Sequence, residues 1–172
     1  AFTAATVEKK VQKLQRLRRV LLIGEGSSLN EAQGAAPLVR ELLPDIVVTA
    51  YRPVNILNAG QHVDSTHDLA VEVSWSGTTD SVLKVDNVLA DAEVMRLAVT
   101  GRPQSDLGRR TIDSGGTIDV RTEMEISVAA IKSYVASLAT LDLLALQLAQ
   151  MRSSAYPIAM RARLLNELSM LI

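Results

Sequence analysis

Cysteine is absent from the 172-residue sequence. Disulfides, thiolate metal sites and cysteine nucleophiles are thereby excluded, and the absence fits a reducing compartment. Net charge is nearly absent too: 18 basic residues against 19 acidic give -1 at pH 7. The electrostatic footprint of a nucleic-acid or acidic-membrane partner is therefore missing. Along the one basic run, residues 9–19, and just before it, Val7, Val11, Leu14 and Leu17 recur at helical spacing. This stretch reads as a solvated amphipathic helix over residues 6–19. No apolar run approaches the roughly 18 residues of a membrane span, and no signal-peptide pattern precedes that helix. Histidine is scarce: there are only two, His62 and His67. Five residues apart, they share no helix face, and no third ligand stands near them, so no metal is expected. These absences predict a soluble, cytoplasmic protein with neither membrane nor nucleic acid among its partners.

What is present is an alternation. "RVLLIG" (19–24) is a β-branched and leucine run stopped by glycine, which predicts a buried strand. A helix is predicted over 27–43, with Pro37 its awkward residue. Further strands are predicted at 45–51, 68–75, 93–100 and 116–120, with a short helical stretch to Asn58 and a helix over 79–90. Residues 127–151 are apolar on nearly all sides, so that helix should be mostly buried, either in the domain or at a subunit interface. A last helix is predicted over 156–172. Strands alternating with helices predict βαβ units, hence a three-layer αβα sandwich around a five-stranded, mainly parallel sheet. No linker or repeat divides residues 1–172, so one domain is expected, its core over about 19–150.

In such sheets ligands sit beyond the carboxyl ends of the strands. "GEGSS" (24–28) and "SWSGTT" (74–79) fall there. Glycine lets backbone approach an anion, hydroxyls donate to it, and a helix N-terminus adds partial positive charge. Neither loop has the lysine of a nucleotide P-loop. The dinucleotide pattern fails as well, because Leu29 stands at the third glycine position and Tyr51-Arg52-Pro53 replaces the ribose-binding acid. Uncharged donors suit a small phosphorylated metabolite, and no cofactor is expected.

On these residues the chain resembles the sugar isomerase (SIS) family, a flavodoxin-like fold. The family's phosphate loop, Ser-x-Ser-Gly-x-Thr, is matched by Ser74, Ser76, Gly77 and Thr79. A Glu followed by Val-Ala-Ser/Ala-x-Lys is matched by Glu125, Val128, Ala129, Ala130 and Lys132. The similarity runs over about 19–150. It is greatest to the first of the two SIS domains in glucosamine-6-phosphate synthases and to related sugar-phosphate deaminases and deglycases. The resemblance implies that Ser27 and Ser28 approach the sugar phosphate, that Ser74, Trp75, Ser76, Gly77 and Thr79 hold the phosphate, and that Val128 and Ala130 line the sugar. Trp75 stands where the synthases often have glutamine, so only its backbone copies that contact. Ala130 stands where many synthases have serine, which points toward the deaminase-like relatives.

Single residues carry two readings each. Trp75, the only tryptophan, is predicted to pack under its loop, with a wall of the sugar pocket as the alternative. Lys132 reads as a snorkelling or buried ion-paired lysine, with Glu123 or Glu125 as partner. Glu31 and His67 are the candidates for acid–base work, with His62 behind them. For Glu31 an exposed first-turn acid, favoured by the helix dipole, is the plainer expectation. In two-domain relatives the catalytic Glu, Lys and His belong to the second SIS domain, which nothing here matches. The chain is thus expected to be one half of a sugar-phosphate isomerase, aminotransferase or deaminase, pairing as a homodimer and binding sugar phosphate without turning it over. The alternatives are a sugar-phosphate sensor module and a stand-alone oligomeric isomerase.

Overall fold

In the computed structural model, the structure describes residues 4–58, 62–122 and 131–152. Helix α1 (Ala4–Gln15) leads into β1 (Arg19–Gly24), α2 (Ser27–Leu42), β2 (Val47–Tyr51), α3 (Pro53–Asn58) and β3 (Asp68–Val73). Then follow α4 (Asp80–Asp91), β4 (Met95–Thr100), α5 (Asp106–Thr111), β5 (Gly116–Asp119) and α6 (Ile131–Arg152). The five strands form one sheet in the order β2-β1-β3-β4-β5, and every pairing is parallel. The alternation anticipated from sequence is thus realised, and the sheet is wholly rather than mainly parallel.

Side-chain alternation along the strands sorts the core into two faces. Val20 and Leu22 of β1 with Leu69, Val71 and Val73 of β3 pack against Ala32, Ala36 and Val39 of α2 and Leu141 and Ala145 of α6. Leu21 and Ile23 with Ala70 pack on the other side against Ile56 of α3 and Val85 and Leu89 of α4. Pro37 is accommodated on the exposed side of α2. The β1 connection leads to β2 on one side and the β3 connection to β4 on the other. The crevice between the ends of β1 and β3 is where ligands bind in this strand order.

The differences from the sequence reading are local. The third strand ends at Val73, two residues early, because Ser74 and Trp75 already belong to the loop. α1 ends at Gln15, short of residue 19, and the unforeseen α5 is a one-and-a-half-turn helix whose Ser105 hydroxyl accepts from the Gly108 N–H at 3.3 Å. The burial expected over residues 127–151, in the domain or at a subunit interface, is met within this chain on one face of α6. Within this chain α6 buries one face, through Ser133, Ser137, Leu141, Ala145 and Leu148, and leaves Ile131, Val135 and Leu143 exposed. A single sheet can cover only one side of a helix. By length and composition alone α6 could cross a membrane, but its buried face is what closes the core over α2 and the sheet. Lys132 is exposed, not buried. The predicted helix over 156–172 and residues 127–130 lie outside the described residues.

One buried charge cluster lies behind the site, on the α4 face. Glu72 of β3 is fully buried, and neither carboxylate oxygen has a hydrogen-bond partner among the described residues. Burial, then the neighbouring Asp86 carboxylate, push it well above the usual carboxylate range. Asp86 itself is ion-paired to Arg96, with Arg110 at 3.7 Å.

Candidate functional site

The β3–α4 loop is built from its own hydroxyls. The Ser74 hydroxyl lies 3.0 Å from that of Thr79, and the Gly77 N–H donates to the Ser74 carbonyl (3.0 Å) and hydroxyl (3.2 Å). The Thr78 N–H and hydroxyl both donate to the Ser76 hydroxyl, at 3.3 and 3.2 Å. Gly77 sits at φ 61, and a Cβ there would come 1.9 Å from the Ser105 hydroxyl oxygen. Only glycine fits, for both conformation and space. The loop is tied to β4 through the Trp75 carbonyl, which accepts from the Thr100 hydroxyl (3.1 Å) and the Gly101 N–H (3.0 Å).

Thr79 is the N-cap of α4, yet its hydroxyl makes no cap bond; it faces Ser74 instead. α2 likewise starts at Gly26 with no side-chain cap. The short α5, whose N-terminus abuts the same loop through Gly77, has an ordinary serine cap. Two long helices without side-chain caps therefore converge on one edge of the sheet, and their first-turn N–H groups favour an anion there.

Between them lies a cleft of about 270 Å³, lined by Glu25, Ser27, Ser28, Glu31, Ser74, Trp75, Ser76, Thr79 and Ser133. The structure brings together seven of the residues proposed from sequence: Ser27, Ser28, Ser74, Trp75, Ser76 and Thr79 for binding, and Glu31 as an acid–base candidate. Gly77 shapes the loop from beneath and does not line the cleft. Val128 and Ala130 lie outside the described residues. Trp75 is both packed and exposed to the cleft: its Nε1 donates to the Thr122 hydroxyl at 2.8 Å, and Arg102 stacks 5.1 Å from its ring centre. Trp75 therefore lines the cleft as well as packing.

Glu31 corrects the plainer expectation. Far from being an exposed first-turn acid, it is 2% exposed, on the floor of the cleft. Burial pushes its pKa up to about 7, against the opposing pull of hydrogen bonds from Ser137 and Ser28. Its Oε2 has no partner among the described residues. The histidines lie elsewhere. The His67 carbonyl accepts from the N–H groups of Arg18 and Arg19, at the start of β1, and the His62 carbonyl accepts from Arg19. The six residues of β1 then separate them from the cleft by about 20 Å at ~3.3 Å per residue. His67 is hydrogen-bonded to Asp64 at 2.8 Å. Neither histidine reaches the cleft of its own chain. Sequence reasoning missed Ser133 and Ser137, although two serines four apart in an apolar helix were a visible signal.

Comparison with known proteins adds an independent result. The family model described as "SIS domain" matches residues 13–147. The chain belongs to the SIS family. Over 141 residues this SIS domain is 32% identical to a glutamine–fructose-6-phosphate aminotransferase (isomerizing) of Gloeobacter violaceus, covering 80% of this chain and 22% of that protein. Its fold superposes on the C-terminal domain of glucosamine-fructose-6-phosphate aminotransferase from Francisella tularensis with a TM-score of 0.81, at 20% identity over 94% of this chain and 44% of that one. A glucosamine-6-phosphate deaminase from Thermotoga maritima superposes with a TM-score of 0.67, at 21% identity over 90% of this chain and 51% of that one. The chain thus spans about a fifth of that aminotransferase and about half of these solved structures.

Proposed function

We propose that this SIS domain binds a sugar phosphate as the gripping half of a cytoplasmic isomerase, aminotransferase or deaminase. The phosphate sits on the β3–α4 loop, held by the hydroxyls of Ser74, Ser76 and Thr79. The sugar extends toward Ser27, Ser28 and the floor at Glu31. The observation that carries the reading is the meeting of two helix N-termini, neither with a side-chain cap, at one hydroxyl-lined cleft. Uncharged donors and helix dipoles suffice to hold a phosphate monoester. The coverage of 44% of the Francisella tularensis aminotransferase domain and 51% of the Thermotoga maritima deaminase supports reading the domain as one part of such an enzyme.

Replacing Thr79 by Val removes a hydroxyl while keeping the shape. Titration calorimetry with fructose 6-phosphate should show affinity reduced by about 1–3 kcal/mol. Equal affinity in the variant and the wild type would mean that the loop is only a turn.

A further inference from the structure

The charges around the cleft are the wrong sign for a bare phosphate. Among the described residues that line it, the charged ones are Glu25 and Glu31, and no lysine or arginine joins them. Glu25 is on the exposed rim and accepts a 3.4 Å bond from the Ser81 hydroxyl. Glu31 is different: it is almost wholly buried, and one carboxylate oxygen has no partner among the described residues. A buried, unpartnered acceptor is costly, and it is relieved best by a donor carried in by the ligand.

We propose that Glu31 selects ligands carrying an amine, so that the domain takes amino-sugar phosphates in preference to neutral sugar phosphates. This rests on the sugar-phosphate reading of the cleft. An ammonium group gives the unpartnered oxygen a charge-assisted bond, about twice as strong as one from a hydroxyl. It also offsets, within the same ligand, the repulsion between the phosphate and the Glu25 carboxylate on the rim. Ser28 and Ser137 hold the carboxyl in place, from α2 and from α6, so its position is set before the ligand arrives. Gln at this position would keep the shape and one acceptor but could not form the ion pair.

Glucosamine 6-phosphate and glucose 6-phosphate differ only in an amine for a hydroxyl at C2, which makes them the test pair. Calorimetry on the full chain should show the amine bound about ten-fold or more tightly, the size of a charge-assisted bond gained in a partly desolvated site. Glu31→Gln should bring the two affinities together, while Thr79→Val should weaken both by a similar factor and keep their ratio. Equal binding of the two sugars by the wild type would overturn the selection and leave the sugar-phosphate reading standing. A preference that survives in Glu31→Gln would also overturn it. Binding of neither sugar would overturn the underlying reading and the selection with it. Should Glu31→Gln fail to fold, isotope-edited infrared spectroscopy of the wild type replaces it. A protonated carboxyl band should disappear on adding the amine and persist with the neutral sugar, and a band unmoved by the amine refutes the role of Glu31.

Discussion

At the scale of residues, Glu31 shows most sharply what sequence can and cannot supply. Its place near the start of α2 was legible, and acids near helix starts are commonly solvated, although the structure puts it one turn in, past a first turn that holds no acid. Its burial was not, because that depends on α6, whose Ser137 arrives from more than a hundred residues away. The raised pKa has a consequence for stability. Below about pH 4.5 the carboxyl is neutral folded or unfolded. As pH rises from about 4.5 to about 7 the unfolded chain ionises it while the folded chain holds the proton, so stability falls across that window and levels off above it. Urea denaturation of wild type and Glu31→Gln should diverge there, with the wild type losing at most about 1.4 kcal/mol more per pH unit than the variant. Parallel curves would mean that the carboxyl titrates as an ordinary surface acid. The hydroxyls of the phosphate loop were easier to anticipate. Ser74, Ser76 and Thr79 follow a strand and precede a helix, and the geometry of such a turn is local. Glu72 was invisible as a buried acid, since a glutamate in a strand normally marks a solvent face, and here Asp86 and Arg96 close over it.

At the scale of elements, periodicity was sufficient for the order of strands and helices and insufficient for their ends. The third strand was extended to Trp75 because an aromatic continues a strand pattern. Its carbonyl instead turns to receive Thr100 and Gly101. α5 was missed because six residues are too few to show a period, though Ser105-Asp106 before Leu107 was a cap signal. α6 is the element whose account is still open within one chain. Its apolar surface exceeds what the sheet covers, leaving Val135 57% and Ile131 66% exposed. We propose that a second copy covers this face, in a homodimer burying about 1,500 Å² or more of total surface. Sedimentation equilibrium at tens of micromolar should report a dimer, and Val135→Glu, which places a charge in that interface, should shift it to monomer. A wild type that is already monomeric would contradict the pairing.

At the scale of the whole molecule, the strand order 2-1-3-4-5 puts both hydroxyl loops at one crevice. That much followed from reading alternating strands and helices. The depth of the cleft did not, because it is set by how α6 lies across α2. The same architecture separates the histidines from the cleft by the length of β1. Among the described residues the cleft therefore has a buried carboxyl and many hydroxyls but no paired acid and base at the spacing that proton transfer between neighbouring carbons needs. The chain alone should bind fructose 6-phosphate and leave its C1 and C2 protons unexchanged in D₂O. Exchange well above the buffer rate, detected by NMR and abolished in Glu31→Gln, would make the single domain the enzyme.

The central claim is the place of the phosphate, and a crystal structure of the chain with fructose 6-phosphate tests it most directly. The phosphate is predicted between residues 74 and 79, within about 3 Å of the Ser76 and Thr79 hydroxyls, with the sugar directed toward Ser28. Density for the phosphate at any other edge of the sheet, with this loop left holding only its own hydrogen bonds, would contradict the account.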